Sequence, residues 1–161
     1  MKRSELIVKL SWEHNDALKF SQNVARGLSL NTDLNLVRSY AVNIADNFLE
    51  PHFNLEESAL VSRLNETQLR QESVVEVLKQ HREFSLLKQQ LRAAEASELR
   101  PLLERFGALL IIHVMLEEHH FFPFIEQVLS TGQLLQAERE IDPDQIVDCS
   151  NWPDPFWKSR I

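Results

Sequence analysis

Glycine and cysteine are almost missing from this chain: three of the first and one of the second stand among 161 residues. So little glycine leaves few positions for the left-handed turns of β-hairpins, and no alternating β-branched stretches accompany them. The single Cys149 excludes an intrachain disulfide framework and suits a reducing compartment. No apolar run reaches the length that crosses a bilayer. The basic start, Met1 to Leu10, is interrupted by Glu5 and Lys9 where a signal peptide would be apolar. A formal net charge of −7 argues against nucleic acid and against membrane surfaces as partners, since both demand a basic face. A soluble, cytoplasmic, all-α protein is what remains.

Leu, Glu, Gln, Arg and Ala dominate the rest, and their apolar members recur with helical spacing. Residues 1–10 read as a short lead-in strand or coil. Ser11 then caps a first helix to about Leu28, with His14, Ala17, Leu18, Ser21, Val24, Ala25 and Leu28 on one face. A second helix runs from near Asp33 to about Leu64, and Pro51 inside it implies a kink or a break. After Asn65-Glu66-Thr67, a third helix continues to about Ala96. Ser97 caps a fourth, which extends to about Ser130 with a possible bend at Pro123 and closes at Gly132. Gln133 to Glu140 adds a further turn or two. Residues 1–140 thus form one helical domain. Residues 141–161 form an extended tail whose Trp152, Phe156 and Trp157 dock on the bundle, on a second copy or on a partner protein.

Within the most apolar segment stands His113-Val114-Met115-Leu116-Glu117-Glu118. Four helical residues advance by about 400°, so His113 and Glu117 share a face. That face is otherwise Leu99, Leu102, Phe106, Leu109, Leu110, Phe121 and Phe124, a core stripe. A carboxylate facing a core is costly without a partner or a metal. The same H-x3-E-E pattern occurs at His52-Phe53-Asn54-Leu55-Glu56-Glu57, and a lone histidine precedes each pattern by about two helices: His14 and His81. The chain therefore reads as two αα-hairpins, which make a four-helix bundle with four histidines and two glutamates facing inward.

Imidazole with carboxylate suits iron, manganese or zinc, and not calcium or magnesium. Six ligands exceed what one tetrahedral zinc needs, whereas two ions would each gain two histidines and share the carboxylates. Two divalent ions against two carboxylates leave positive charge that a bridging hydroxide or oxide offsets. Glu118 and His120 are reserve ligands, His120 because it returns to the His113 stripe. His119 points to solvent, Trp12 is expected to pack near the end of the bundle, and Cys149 to be an inert thiol.

Glu13-His14 opening a helix, His52-x3-Glu56-Glu57, a mid-helix His81 and His113-x3-Glu117-Glu118 before Phe122-Pro123 together resemble the hemerythrin-like, HHE cation-binding domain. The resemblance spans residues 11 to about 130. It implies an antiparallel up-down-up-down bundle with a non-haem di-iron centre, in which His14, His52, His81 and His113 are terminal ligands and Glu56 and Glu117 bridge. Oxygen-carrying members have two histidines four apart on the third helix; here Val77 and Ser85 flank His81 at that spacing. They also place the second bridge five residues after its histidine, at Glu118 here; Glu117 has the better helical angle. A site open at both irons implies sensing, storage or detoxification of O2, peroxide or nitric oxide. Two alternatives follow. One is a di-iron oxidase or peroxidase, or a protein of nitric-oxide stress and iron–sulfur repair; members of that repair subgroup often carry a cysteine-bearing N-terminal domain, which these 161 residues do not contain. The other is an interaction module with a vestigial site.

Overall fold

The computed structural model describes residues 3–141 and 152–158. Among them every regular element is helical, as the composition implies. The first helix, α1 (Glu5–Ser29), starts well before Ser11. The Ser4 hydroxyl accepts from the Ile7 N–H at 3.3 Å, and Leu6, Ile7 and Leu10 bury on the face that His14 continues. The expected lead-in strand is therefore helix. Its apolar residues follow a 3.6-residue period once Ile7 is counted with Leu6 and Leu10. Ser11 instead donates from its hydroxyl to Glu118 Oε1 at 2.6 Å. After α1, Asn31 takes φ 53°, a left-handed conformation that asparagine tolerates, and Asp33 caps the next helix.

That second path is α2 (Leu34–Ile44), a π-helical turn at Ala45–Leu49, α3 (Glu50–Ala59) and a 3₁₀ turn at Val61–Arg63. Glu50 N–H donates to Ala45 O, five residues back, which inserts one residue into the turn just before Pro51. The wider turn accommodates a proline that lacks a donor, so the path neither breaks nor stops there. The third helix is split: α4 (Glu66–Leu69) ends, and Gln71 caps α5 (Glu72–Ala93) by accepting from Ser73 N–H at 2.7 Å.

The fourth helix, α6 (Ala96–Leu116), is capped by Glu95, which forms a reciprocal capping box with Glu98, and not by Ser97. A second π turn, Glu117–Phe121, leads into α7 (Phe122–Val128), with Phe122 N–H donating to Glu117 O ahead of Pro123. Gly132 does not end this helix. It lies in the first turn of α8 (Thr131–Arg139), because Ser130 and Gln133 form a capping box that starts a new one.

Two apolar clusters fill the interior. One holds Phe20, Tyr40, Phe48, Phe84, Leu103, Phe106 and Leu110. The other holds Leu6, Leu10, Leu55, Val74, Val77, Phe121, Phe122 and Ile125. The six inward His and Glu residues come from α1, α3, α5, α6 and the second π turn. Trp12 joins neither cluster: it is 73% exposed, on the outer face of α1, about 200° around the helix from His14.

From the tail, Trp152, Phe156 and Trp157 surround the Tyr40 ring with centroids 5.1–5.4 Å away. A Cβ on Gly27 would lie 2.5 Å from Phe156, so this close approach requires glycine. Cys149 lies outside the described residues. Among the described residues no helix is long and apolar enough to cross a membrane.

Candidate metal centre

His14, His52, Glu56, His81, His113 and Glu117 are all buried, and they come from α1, α3, α5 and the junction of α6 with the second π turn. Each ring spends Nδ1 on an outer partner. His14 Nδ1 meets Glu118 Oε1 at 2.7 Å, His52 meets Glu13 Oε2 at 2.6 Å, His81 meets Glu57 Oε1 at 2.8 Å and His113 meets Gln80 Oε1 at 2.9 Å. With Nδ1–H donated outward, Nε2 turns inward with its lone pair available.

The inward atoms converge on two carboxylates. Glu56 sets Oε1 3.0 Å from His52 Nε2 and Oε2 3.3 Å from His81 Nε2. Glu117 sets Oε2 2.8 Å from His14 Nε2, and Oε1 2.9 Å from His113 Nε2 and 3.5 Å from His81 Nε2. Glu56 thus spans two histidines, one oxygen to each, and Glu117 spans three, with Oε1 shared between His81 and His113. Two overlapping donor groups result, His14-His52-Glu56-Glu117 and Glu56-His81-His113-Glu117, each with donor atoms within 4.8 Å of one another.

Hydrogen bonding does not account for this convergence. His52, His81 and His113 Nε2, both Glu56 oxygens and Glu117 Oε1 are buried without a hydrogen-bond partner. Buried polar atoms left in that state are expensive. Bonds of about 2.0–2.2 Å to a common ion put neighbouring donors about 3 Å apart at right angles, close to the separations found. The donor set therefore fits divalent transition-metal ions. Aromatic rings exclude water around it: Phe53 stacks on His81 at 4.1 Å, Phe122 on His14 at 5.4 Å and Phe48 on His52 at 6.2 Å.

Without an ion, the carboxylates recruit protons. Burial lowers the His81 pKa, but the carboxylates of Glu117 and Glu56 close to Nε2, and of Glu57 accepting from Nδ1–H, outweigh it and push it up to about 10. His14 and His52 are raised too, burial again opposed by the hydrogen bonds and charge of their glutamates. Glu117 is held well below the usual carboxylate range: burial raises it, and His113, His14 and His52 overcome that. The His14 hydrogen bond, against the cost of burial, brings Glu118 down to about 2.

The reserve ligands lie elsewhere. Glu118 is half-buried outside the donor cluster, bound to His14 Nδ1, Ser11 and Arg3. His119 and His120 are exposed. The π turn that starts at Glu117 adds a residue and swings His120 off the stripe that an unbroken helix would give it. The outer partners Glu13, Glu57 and Gln80 had no role assigned from sequence. Their signal is adjacency: each stands beside a candidate ligand, as Glu118 does.

The Hemerythrin HHE cation binding domain family matches residues 6–137. No curated protein and no solved structure matches the chain. A buried His/Glu cluster built for cations stands inside a family match that covers most of the chain; it belongs to the hemerythrin HHE cation-binding domain family.

Proposed function

We propose that the chain is an antiparallel up-down-up-down four-helix bundle, with α1, α2–α3, α5 and α6–α7 as its staves, holding two iron ions. His14 and His52 would serve one ion, His81 and His113 the other, with Glu56 and Glu117 between them; manganese or zinc fits the same donors. The observation that carries this reading is the set of buried, unpartnered inward donor atoms. Iron in such a site supplies reversible one-electron chemistry and open positions for O2, peroxide or nitric oxide.

The residues of the chain prepare that chemistry. Glu13, Glu57, Glu118 and Gln80 fix each imidazole so that Nε2 faces the centre. Glu56 and Glu117 compensate much of the charge of two divalent ions. Phe48, Phe53 and Phe122 keep bulk water from the rings. The role is binding or sensing of O2 or a related small molecule, in the cytoplasm. A second reading, turnover of peroxide or nitric oxide by a di-iron oxidase, draws on one observation: a pocket of about 180 Å³ lined by His81, Glu57, Phe53 and Ser85. Saturable peroxide consumption by the iron-loaded protein would favour it.

Metal content and optical spectrum of anaerobically purified protein, measured again in air, test the proposal. About two irons per chain with near-ultraviolet absorption growing in air is the expected result. Less than one metal per chain after iron reconstitution, with the helical signal unchanged, would overturn it.

A further inference from the structure

The outer partners follow a repeated scheme. The residue before the first-helix histidine of each hairpin holds the histidine of its second helix: Glu13 holds His52, and Gln80 holds His113. The residue after each inner glutamate holds the first-helix histidine of the other hairpin: Glu57 holds His81, and Glu118 holds His14. The scheme repeats in position but not in charge. The His14–His52 half leans on two carboxylates. The His81–His113 half leans on one carboxylate and one amide.

Nearby cations do not erase that difference. Arg3 lies 3.4 Å from Glu118 and Lys9 lies 3.9 Å from Glu13, both at the rim, while Glu57 has a side chain 44% exposed. Gln80 is buried, and its amide is fixed from behind, because Nε2 donates to Glu76 Oε1 at 3.2 Å. Oε1 is thereby left to accept from His113 Nδ1–H. An amide oxygen accepts more weakly than a carboxylate, so it makes the opposite ring nitrogen a poorer donor to an ion.

We propose that Gln80 makes the two ion positions unequal: a first divalent ion takes the His14–His52 position, and the His81–His113 position fills second and empties first. The inference rests on the two-ion reading above. The pocket beside the site agrees in direction, since His81 and Glu57 line it and neither His14 nor His52 does. His81 is also the least deeply buried of the four inward histidines.

Anaerobic titration of the full, metal-free chain with Mn²⁺, followed by calorimetry and electron paramagnetic resonance, tests this. The expected isotherm has two steps separated by about ten- to a hundredfold in affinity, the usual effect of an outer partner on a metal site. Gln80→Glu should tighten the second step and narrow the gap, a gain that no folding defect produces. Glu13→Gln should narrow it from the other side by weakening the first step. Two equal steps in the unaltered chain, or a second step unmoved by Gln80→Glu, would overturn the inference while leaving two ions bound. Binding of less than one ion per chain would instead remove the two-ion reading and this inference with it.

Discussion

The two halves of this molecule reach the same local geometry through different backbones. In the first half the π turn, Ala45–Leu49, comes before the motif, so His52 and Glu56 lie together in regular α3. In the second half the π turn begins at Glu117 itself, so His113 lies in the last turn of α6 and its glutamate opens the irregular segment. Yet His52 Nε2 to Glu56 Oε1 is 3.0 Å, and His113 Nε2 to Glu117 Oε1 is 2.9 Å. A single i, i+4 turn is all that the pair needs, because four residues return a side chain to the same face. The extra residue of each π turn is absorbed next to the motif, where a proline follows.

The strongest way to break the equivalence of the halves is to remove a residue that serves both. Glu117 contacts His14 on one side and His81 and His113 on the other. Glu117→Ala is expected to abolish metal retention at both positions. It also leaves buried imidazoles without their counter-charge, at a cost of about 3 kcal/mol to the metal-free fold. His113→Ala touches one position only and should reduce the content to about one ion per chain. Metal analysis beside urea unfolding separates the cases; equal metal content in the two variants would deny Glu117 its shared role.

A smaller effect follows from pH. His81 rises from 6.5 to about 10 in the folded, ion-free chain. Its protonated form thus contributes stability that is complete below pH 6.5 and is lost as pH climbs towards 10, on the order of a few kcal/mol at most. Glu118 runs the other way: its contribution is present above pH 4.5 and is lost as pH falls towards 2. The ion-free chain should therefore be most stable between about pH 4.5 and 6.5. A metal ion replaces the protons, so its stabilisation should grow as the pH rises from 6.5 to 9, with protons released on loading. Unfolding temperatures of both forms across that range check the sign; a gap that stays flat would mean the histidines are already neutral.

How far the sequence could be read follows from the same contrast. The His-x3-Glu spacing survives any backbone that keeps one helical turn intact, so His52, Glu56, His113 and Glu117 stood out without coordinates. The caps were less legible, because Ser4 and Ser11 are equally good N-terminal residues, and Glu95 is not among the residues that usually cap while nearby Ser97 is. Burial of Ile7 and the Glu95–Glu98 box decided between them. Prolines 51 and 123 advertised irregularity but not its form, since kink, break and π turn all relieve the same clash. Trp12 misled because its size suggests a core; two residues before His14, the helix carries it about 200° away, to the outer face.

His120 supplies the finest test of the contrast and the smallest expected effect. An unbroken α-helix would return it to the His113 face after seven residues, within about 20°. The π turn from Glu117 to Phe121 delays that rotation by about one residue, roughly 100°, and His120 is exposed. His120→Ala and His119→Ala should consequently leave metal content unchanged and shift stability by no more than about 0.5 kcal/mol, as surface substitutions do. Loss of an ion in the His120 variant alone would mean that the helix runs straight through Glu117 in the loaded protein. Glu118 would then leave His14, and the second half would no longer share the geometry of the first. An unchanged ion count in both variants keeps the irregular turn where it is and confines the donors to the six buried residues.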